Sequence, residues 1–452
     1  MYVPVPDTGP AATEKDRTRR RFPLSRVAIL FGLAILVYLP ALGIPFIVDD
    51  YDQIPLARQF AAQGWMPLFY NHELRARATY MFLSAGLDRV FGFSPIIFHL
   101  ASVLINALCV LLVYSSGVWG EIGETTAFWA AAFFAIQEGH QEAIVWPAAA
   151  GDLLVFLFGM AAWICFVKWL QGASSKWYAL AIAAFLFAIA SKESVWAFAA
   201  LMLLPVLFDK KLWRRGFAGA APFLATAAGY VIWTWSSRVA GAGYHDVRFS
   251  LSAPWFRILM ESWWKLLFVW GFAAIGILLW TKKRSDWRIG IAASIWMIAG
   301  LFPFCFLTYM MQVPSRLTYI ATAGLAWLVG AAAARLQGQH RNRALAAFCA
   351  VTLAVNLEIL WVKKMAQFRE RAEPSELFRR AGEESDGTVR IKCDPLPDFT
   401  SAHVLESVGA KAVFEPGFKE DGTCFAVEYR NRRGELIDES RRLGATRHGT
   451  FF

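Results

Sequence analysis

The sequence predicts an all-α polytopic membrane protein of about eleven spans that ends in a small α/β domain. Three observations predict it. Of the 452 residues, 57% are hydrophobic, above the roughly 45–50% of soluble domains. Several apolar runs approach the roughly 20 residues that cross a bilayer as a helix. Lys and Arg gather in short clusters between alternate runs, as membrane orientation requires. The net charge of +10 therefore reflects topology, and no nucleic-acid partner is expected.

Residues 1–25 form a basic tail with Arg17, Arg19, Arg20 and Arg21, which places this end in the cytoplasm. The first run, 26–45, is too long for the apolar core of a cleaved signal peptide and reads as a retained anchor. Val48-Asp49-Asp50-Tyr51-Asp52 follows, with three carboxylates in four residues just where the lipid should end. Carboxylates this close raise one another's pKa unless a cation or proton is shared. The plainer reading is a solvated helix end.

His72, Glu73, Arg75 and Arg77 follow, and residues 79–91 are amphipathic and suit the interface. Further spans are expected near 95–114, 125–137, 151–169, 177–190, 195–208, 217–235, 259–280, 289–308, 317–334 and 344–362. The loops after the sixth, eighth and tenth spans are dense in Lys and Arg and so should be cytoplasmic. That count puts the Asp49–Asp52 loop, the Glu138–Glu142 loop, the Ser191–Ser194 break and the loop ending at Arg316 together on the outer face. The 20 Trp and 37 Phe read mostly as lipid-facing or interfacial residues.

Residues 26–362 thus form the membrane domain, and 363–452 a small extracytoplasmic one. In the latter, 370–381 reads as a helix and 389–393, 412–414 and 424–429 as strands. Cys393 and Cys424 could pair in an oxidising compartment or stay as two buried thiols. Cys109, Cys165, Cys305 and Cys349 lie in apolar runs and read as core.

An outward cavity with adjacent carboxylates suits general-base removal of a hydroxyl proton, and Arg or Lys nearby suits a phosphate. Lys192-Glu193 also reads as a local ion pair at a helix break, and Arg316 as a snorkelling interfacial residue. His140 and Glu142 are donor types that bind divalent ions, but two in one loop are too few to specify a metal. No cofactor is certain from the sequence, and a divalent cation stays open.

The ordered motifs resemble the GT-C glycosyltransferases. They are most similar to the protein O-mannosyltransferase-like branch, which includes the transmembrane-and-tetratricopeptide proteins and bacterial relatives. The resemblance rests on Asp49-Asp50, Arg77, Gly92-Phe93-Ser94-Pro95 with Phe98-His99, and Gln137-Glu138-Gly139-His140-Gln141-Glu142-Ala143-Ile144-Val145-Trp146 with Asp152-Leu153-Leu154. Ser191-Lys192-Glu193 and Arg316, Tyr319 and Gly324 complete it. Gln137 and Glu138 stand where the family has His and Pro, Ala78 where it has Pro, and Ala150 where an Arg is frequent.

The resemblance implies an inverting transfer of a mannose-like hexose from a polyprenyl-phosphate donor to a hydroxyl of a protein or glycolipid. Asp50, or else Asp49, would be the base. Lys192 and Arg316 would hold the lipid phosphate, and Arg77, His140 and Glu142 would line the site. The compact loops and the lack of an Asn-x-Ser/Thr acceptor point to a bacterial inner membrane with the site on the periplasmic side. Two rivals are a transporter of lipid-linked sugar, which would show broken helices or inverted repeats, and a non-catalytic scaffold, consistent with the altered His-Pro motif.

Overall fold

The computed structural model describes residues 23–65, 77–240, 250, 252–281, 284–307, 312–397 and 400–443. The basic tail before residue 23, His72, Glu73, Arg75 and the loop 241–249 lie outside the described residues.

Among those described, eight helices are long and apolar enough to cross a membrane: Leu24–Gly43, Pro95–Val118, Pro147–Leu170, Lys210–Trp233, Trp255–Thr281, Trp287–Phe306, Ser315–Gly338 and Asn342–Glu384. The protein is a multi-pass integral membrane protein. The three other expected spans are helical but shorter. Gly123–Ile136 and Ser175–Ile189 cover 14 and 15 residues, or about 21–23 Å at 1.5 Å per residue. The third is broken into Trp196–Leu201 and Leu204–Phe208. Eight of the eleven expected spans thus appear as full-length helices and three as shorter segments, of which Gly123–Ile136 runs beside the first span, with Arg26 paired to Glu124 at one end and Tyr38 Oη donating to Gln137 O at the other.

Ser315–Gly338 is the hub, with 94% of its most apolar window buried. Small residues let its neighbours approach, as in membrane bundles generally. A Cβ at Gly324 would lie 2.6 Å from Ala293 O, and one at Gly330 would lie 2.5 Å from Thr126 O. Around the hub Trp163, Trp296 and Trp327 are fully buried, with ring centroids 4.5–5.7 Å apart. Their indole N–H groups donate to Leu201 O, Ile320 O and Ser116 Oγ. The expectation that the Trp residues face lipid or the interface fails for this cluster. A buried indole needs a partner for its N–H, and here each has one. Trp264, Trp280 and Trp287 are exposed as expected.

Ala78–Phe91 presents Phe82, Val90 and Phe91 outward and Tyr80, Met81 and Asp88 inward, the amphipathic division expected for the interface. Arg58 clamps Asp88 with two 2.7 Å bonds.

At the chain's end, the helix Asn342–Glu384 runs through residue 363 without interruption, passing through a π-helical turn at Ile359–Lys364. It feeds a four-stranded sheet of β1 (Ser385–Asp394), β2 (Lys411–Glu420), β3 (Cys424–Asn431) and β4 (Leu436–Arg442), in the order β2-β1-β3-β4. The first pair is parallel and the others antiparallel. The expected helix appears with Arg379 and Arg380 paired to Glu376, and the three expected strands appear with a fourth. Cys393 and Cys424 are disulfide-bonded. Of the other cysteines, Cys109 and Cys305 are buried and Cys165 and Cys349 half-buried. The domain is not a separate appendage: Phe378, Val389, Val404 and Phe425 share one core with Phe46, Tyr51, Ile54 and Phe98 of the membrane part.

Candidate active site

Asp49, Asp50 and Asp52 open the helix Asp49–Gln63, where carboxylates are favoured by the exposed N–H groups and the helix dipole. They are not a solvated cluster. Val48 just before them has φ 21°, uncommon for a β-branched residue and the kind of strain that collects at functional sites. It sends the three acids into three different surroundings.

Asp50 is fully buried. Its two oxygens accept from the N–H groups of Ile47 and Ala148 at 2.8 and 2.7 Å, so it ties the acid helix to the loop before Pro147–Leu170. Burial pushes its pKa up to about 8, against the pull of those two N–H groups and with the neighbouring Asp49 adding to the rise. Asp49 is half-buried. Burial raises its pKa too, while Arg316, Arg371 and Arg77 favour its charged form. Of the adjacent pair, Asp49 is the one within electrostatic range of three arginines, and Asp50 is the one bound at both oxygens by backbone N–H groups. Asp52 turns to the C-terminal domain, where His403 Nδ1 lies 2.5 Å and Thr400 Oγ1 3.5 Å from its carboxylate.

Glu142 lies beside this pair in a short helical turn, Glu142–Val145. Its carboxylate meets Arg316 at 3.3 Å and Arg371 at 3.2 Å, and accepts from Ser315 Oγ at 2.9 Å. Both guanidiniums also lie over the Trp146 ring, at 4.9 and 4.6 Å, a stacking that planar Arg favours. Burial would raise the Glu142 carboxyl, but the two arginines outweigh it and hold it below the usual range.

Lys192 reaches across to Asp152 at 2.7 Å, and both side chains are nearly buried. Its close ion pair is thus to another helix rather than to the adjacent Glu193. Arg77 and Arg316 lie within electrostatic range of both. The structure therefore brings Asp49, Asp50, Arg77, Glu142, Lys192 and Arg316 together at one end of the bundle.

His140 stands apart. It is fully buried, with Phe134 and Tyr319 ring centroids each 4.7 Å away and no partner at either nitrogen. Burial pushes its pKa down to about 3. Glu142 is occupied by arginines and His140 faces aromatic rings, so the two do not form a cation site. Among the described residues no three His, Cys, Asp or Glu side chains gather as metal ligands.

Arg371, Asp152 and Trp146 were not among the expected site residues. Asp152 and Trp146 lie in the motifs quoted above. Arg371 gave no signal, because it sits in a polar stretch about 55 residues beyond Arg316 and reaches the site only because the last membrane helix continues upward.

No family model and no curated protein matches the chain. Solved structures do share its fold. The oligosaccharyltransferase AglB from Archaeoglobus fulgidus, in complex with an inhibitory peptide and a dolichol-phosphate, aligns with a TM-score of 0.54 at 13% identity, over 87% of this chain and 64% of that one. The apo oligosaccharyltransferase of the same organism gives 0.51 at 13% identity, over 86% and 64%. ArnT from Cupriavidus metallidurans in the apo state gives 0.48 at 19% identity, over 85% and 74%. This chain spans 64% of the length of the archaeal structures. At such identity the likeness to the two archaeal structures shows the fold alone, a helical membrane bundle that here carries a small C-terminal sheet domain.

Proposed function

We propose that the protein is a membrane glycosyltransferase of the O-mannosyltransferase-like branch, moving a hexose from a polyprenyl-phosphate donor to an acceptor hydroxyl. The observation that carries this reading is the division of the acid pair beside a group of cations, on a fold shared with an enzyme solved with a dolichol-phosphate. Asp49 is the base: it is the less buried acid, and its carboxylate faces Arg316, Arg371 and Arg77. This reverses the preference for Asp50, whose oxygens both serve backbone N–H groups; Asp50 positions Asp49 instead.

In the step, the Asp49 carboxylate takes the acceptor's O–H proton and the freed oxygen attacks the anomeric carbon. The bond from that carbon to the phosphate oxygen breaks, and polyprenyl phosphate leaves with the electron pair. One displacement inverts the anomeric centre. Arg316 and Arg371, held in place by Glu142 and Trp146, offer planar donors to the leaving phosphate, and Lys192, oriented by Asp152, adds a third cation. Arg77 supports the same charge. The reading places the protein in a bacterial inner membrane with this site on the periplasmic side.

The test is sugar transfer from radiolabelled polyprenyl-phosphate hexose in membranes holding wild type, Asp49→Asn or Asp50→Asn at matched expression. Loss confined to Asp49→Asn supports the assignment. Full transfer in Asp49→Asn overturns it.

A further inference from the structure

A second group of cations lies outside the site described above. Lys265, Lys363 and Lys364 are within electrostatic range of one another and of Glu138, with Glu142 also acting on Lys364. Lys363 is exposed and Lys364 buried. Beside them, Met260, Glu261, Trp264, Lys265 and Gln312 line an open cleft of about 640 Å³, a volume suited to a small ligand. Glu261 pairs with Arg257 at 2.6 Å, and around the cleft the three lysines outnumber the Glu138 carboxylate. Its Trp264 wall is 64% exposed on a membrane helix. Inside, the Gln312 Oε1 is buried without a partner, an acceptor that a ligand hydroxyl would satisfy.

The helix kinks beyond Lys265 at Phe268, whose φ is 41°, so the segment carrying Lys265 departs from the line of the apolar part. Lys364 and Arg371 are seven residues apart on one helix. They therefore share a face at a separation of about 10 Å. A cationic track thus runs from the cleft to the Arg371–Glu142–Arg316 group.

We propose that this cleft docks an anionic membrane lipid that serves as acceptor. Its charged group would rest on Lys265 and Lys363 and its chains against Trp264 and Met260, with its hydroxyl-bearing part directed along the cationic track toward Asp49. Charge complementarity and an apolar wall open to the bilayer favour a lipid over a soluble peptide. The donor's phosphate has separate cations at the reaction site. The acceptor role rests on the glycosyl-transfer reading; the docking does not.

The test uses the full-length protein with p-benzoylphenylalanine in place of Trp264, in phosphatidylcholine nanodiscs doped with radiolabelled dioleoyl phosphatidylglycerol, an anionic lipid with free hydroxyls. Irradiation should label position 264 with phosphatidylglycerol in preference to labelled phosphatidylcholine. Lys265→Gln and Lys363→Gln should each weaken the labelling roughly fivefold, since a basic residue near an anionic lipid contributes about that much. An excess of polyprenyl phosphate should leave the labelling in place. Equal labelling by phosphatidylcholine overturns the site, and displacement by polyprenyl phosphate reassigns it to the donor. Separate recovery of labelled sugar distinguishes the two readings. Sugar found only on protein keeps the docking site and overturns its acceptor role. Lysine-dependent labelling with no transfer to any acceptor keeps the docking site and overturns the glycosyl-transfer reading.

Discussion

Glu142→Gln tests the electrostatics of the site most directly. The carboxylate is only 5% exposed and sits between Arg316 and Arg371, whose side chains are 28% and 22% exposed. Gln keeps the shape and can still accept from Ser315 Oγ, but it removes a negative charge that both guanidiniums contact. Breaking a buried ion pair from one side costs about 3–5 kcal/mol, because the partner is left uncompensated. Water reaches part of each guanidinium, so the lower end, about 3 kcal/mol, is expected. The Glu142 carboxyl titrates below its usual range in the folded state. Its contribution is therefore complete above the unfolded carboxyl pKa and is lost only as pH falls through the lower folded value, so the penalty should not change between pH 6 and pH 8. Equilibrium unfolding of the detergent-solubilised protein, followed by Trp fluorescence, measures the difference. Adding Arg371→Gln removes one stranded cation and should restore about half of the loss. A Glu142→Gln protein within about 0.5 kcal/mol of wild type, or a double variant as unstable as the sum of its parts, would refute the arrangement.

Further outcomes follow from the same geometry. Asp49→Asn should lower the rate of sugar transfer by about 10²–10⁴, the usual contribution of a positioned base, with folding retained as judged by gel filtration. Because burial raises the Asp49 pKa and the base must be ionised, the transfer rate should climb with pH and reach its plateau above the ordinary carboxylate range; a plateau already present at pH 5 would remove Asp49 from the role. The Lys192→Met/Asp152→Asn double variant should be destabilised by less than the sum of the two single variants, since their 2.7 Å contact is nearly buried on both sides. Reducing Cys393–Cys424, which closes a separation of 31 residues, should destabilise the C-terminal domain by about 3–4 kcal/mol, seen as faster proteolysis between residues 385 and 443.

Much of this fold can be read from the chain because a bilayer imposes length and polarity on each helix. The expected spans that fell short, near 125–137, 177–190 and 195–208, are those whose apolar runs are briefest. The Asp49–Asp52, Glu142, Lys192 and Arg316 segments could be grouped because basic loops fix which ends of the helices face the same side. Which acid is reachable could not be read. Asp49 and Asp50 are adjacent and chemically identical, and only the φ of Val48 and the N–H groups of Ile47 and Ala148 separate them. His140 misled for a related reason: it lies two residues from Glu142, but in a tight turn that aims it at Phe134 and Tyr319 instead.

The C-terminal domain is the larger lesson. A polar stretch after the last span reads as an independent appendage, yet three contacts make it part of the site. Arg371 on its incoming helix holds Glu142, His403 holds Asp52, and Phe378 and Val404 bury the same core as Tyr51 and Ile54 of the acid helix. Phe46 and Tyr51 lie on either side of Asp49 in the chain and both pack in that core, so the domain braces the segment carrying Asp49 from both flanks. Residues that pack in one core and share an ion-pair network do not behave additively. Loosening the domain should therefore shift the acid helix, and with it the base, without touching any residue that contacts substrate. His403→Ala separates this coupling from simple stability. Because His403 and Asp52 are both partly exposed, their contact contributes little to unfolding. A bracing role predicts that transfer falls while the unfolding midpoint stays near wild type; an equal and slight effect on both would leave the domain a passive lid on a rigid site.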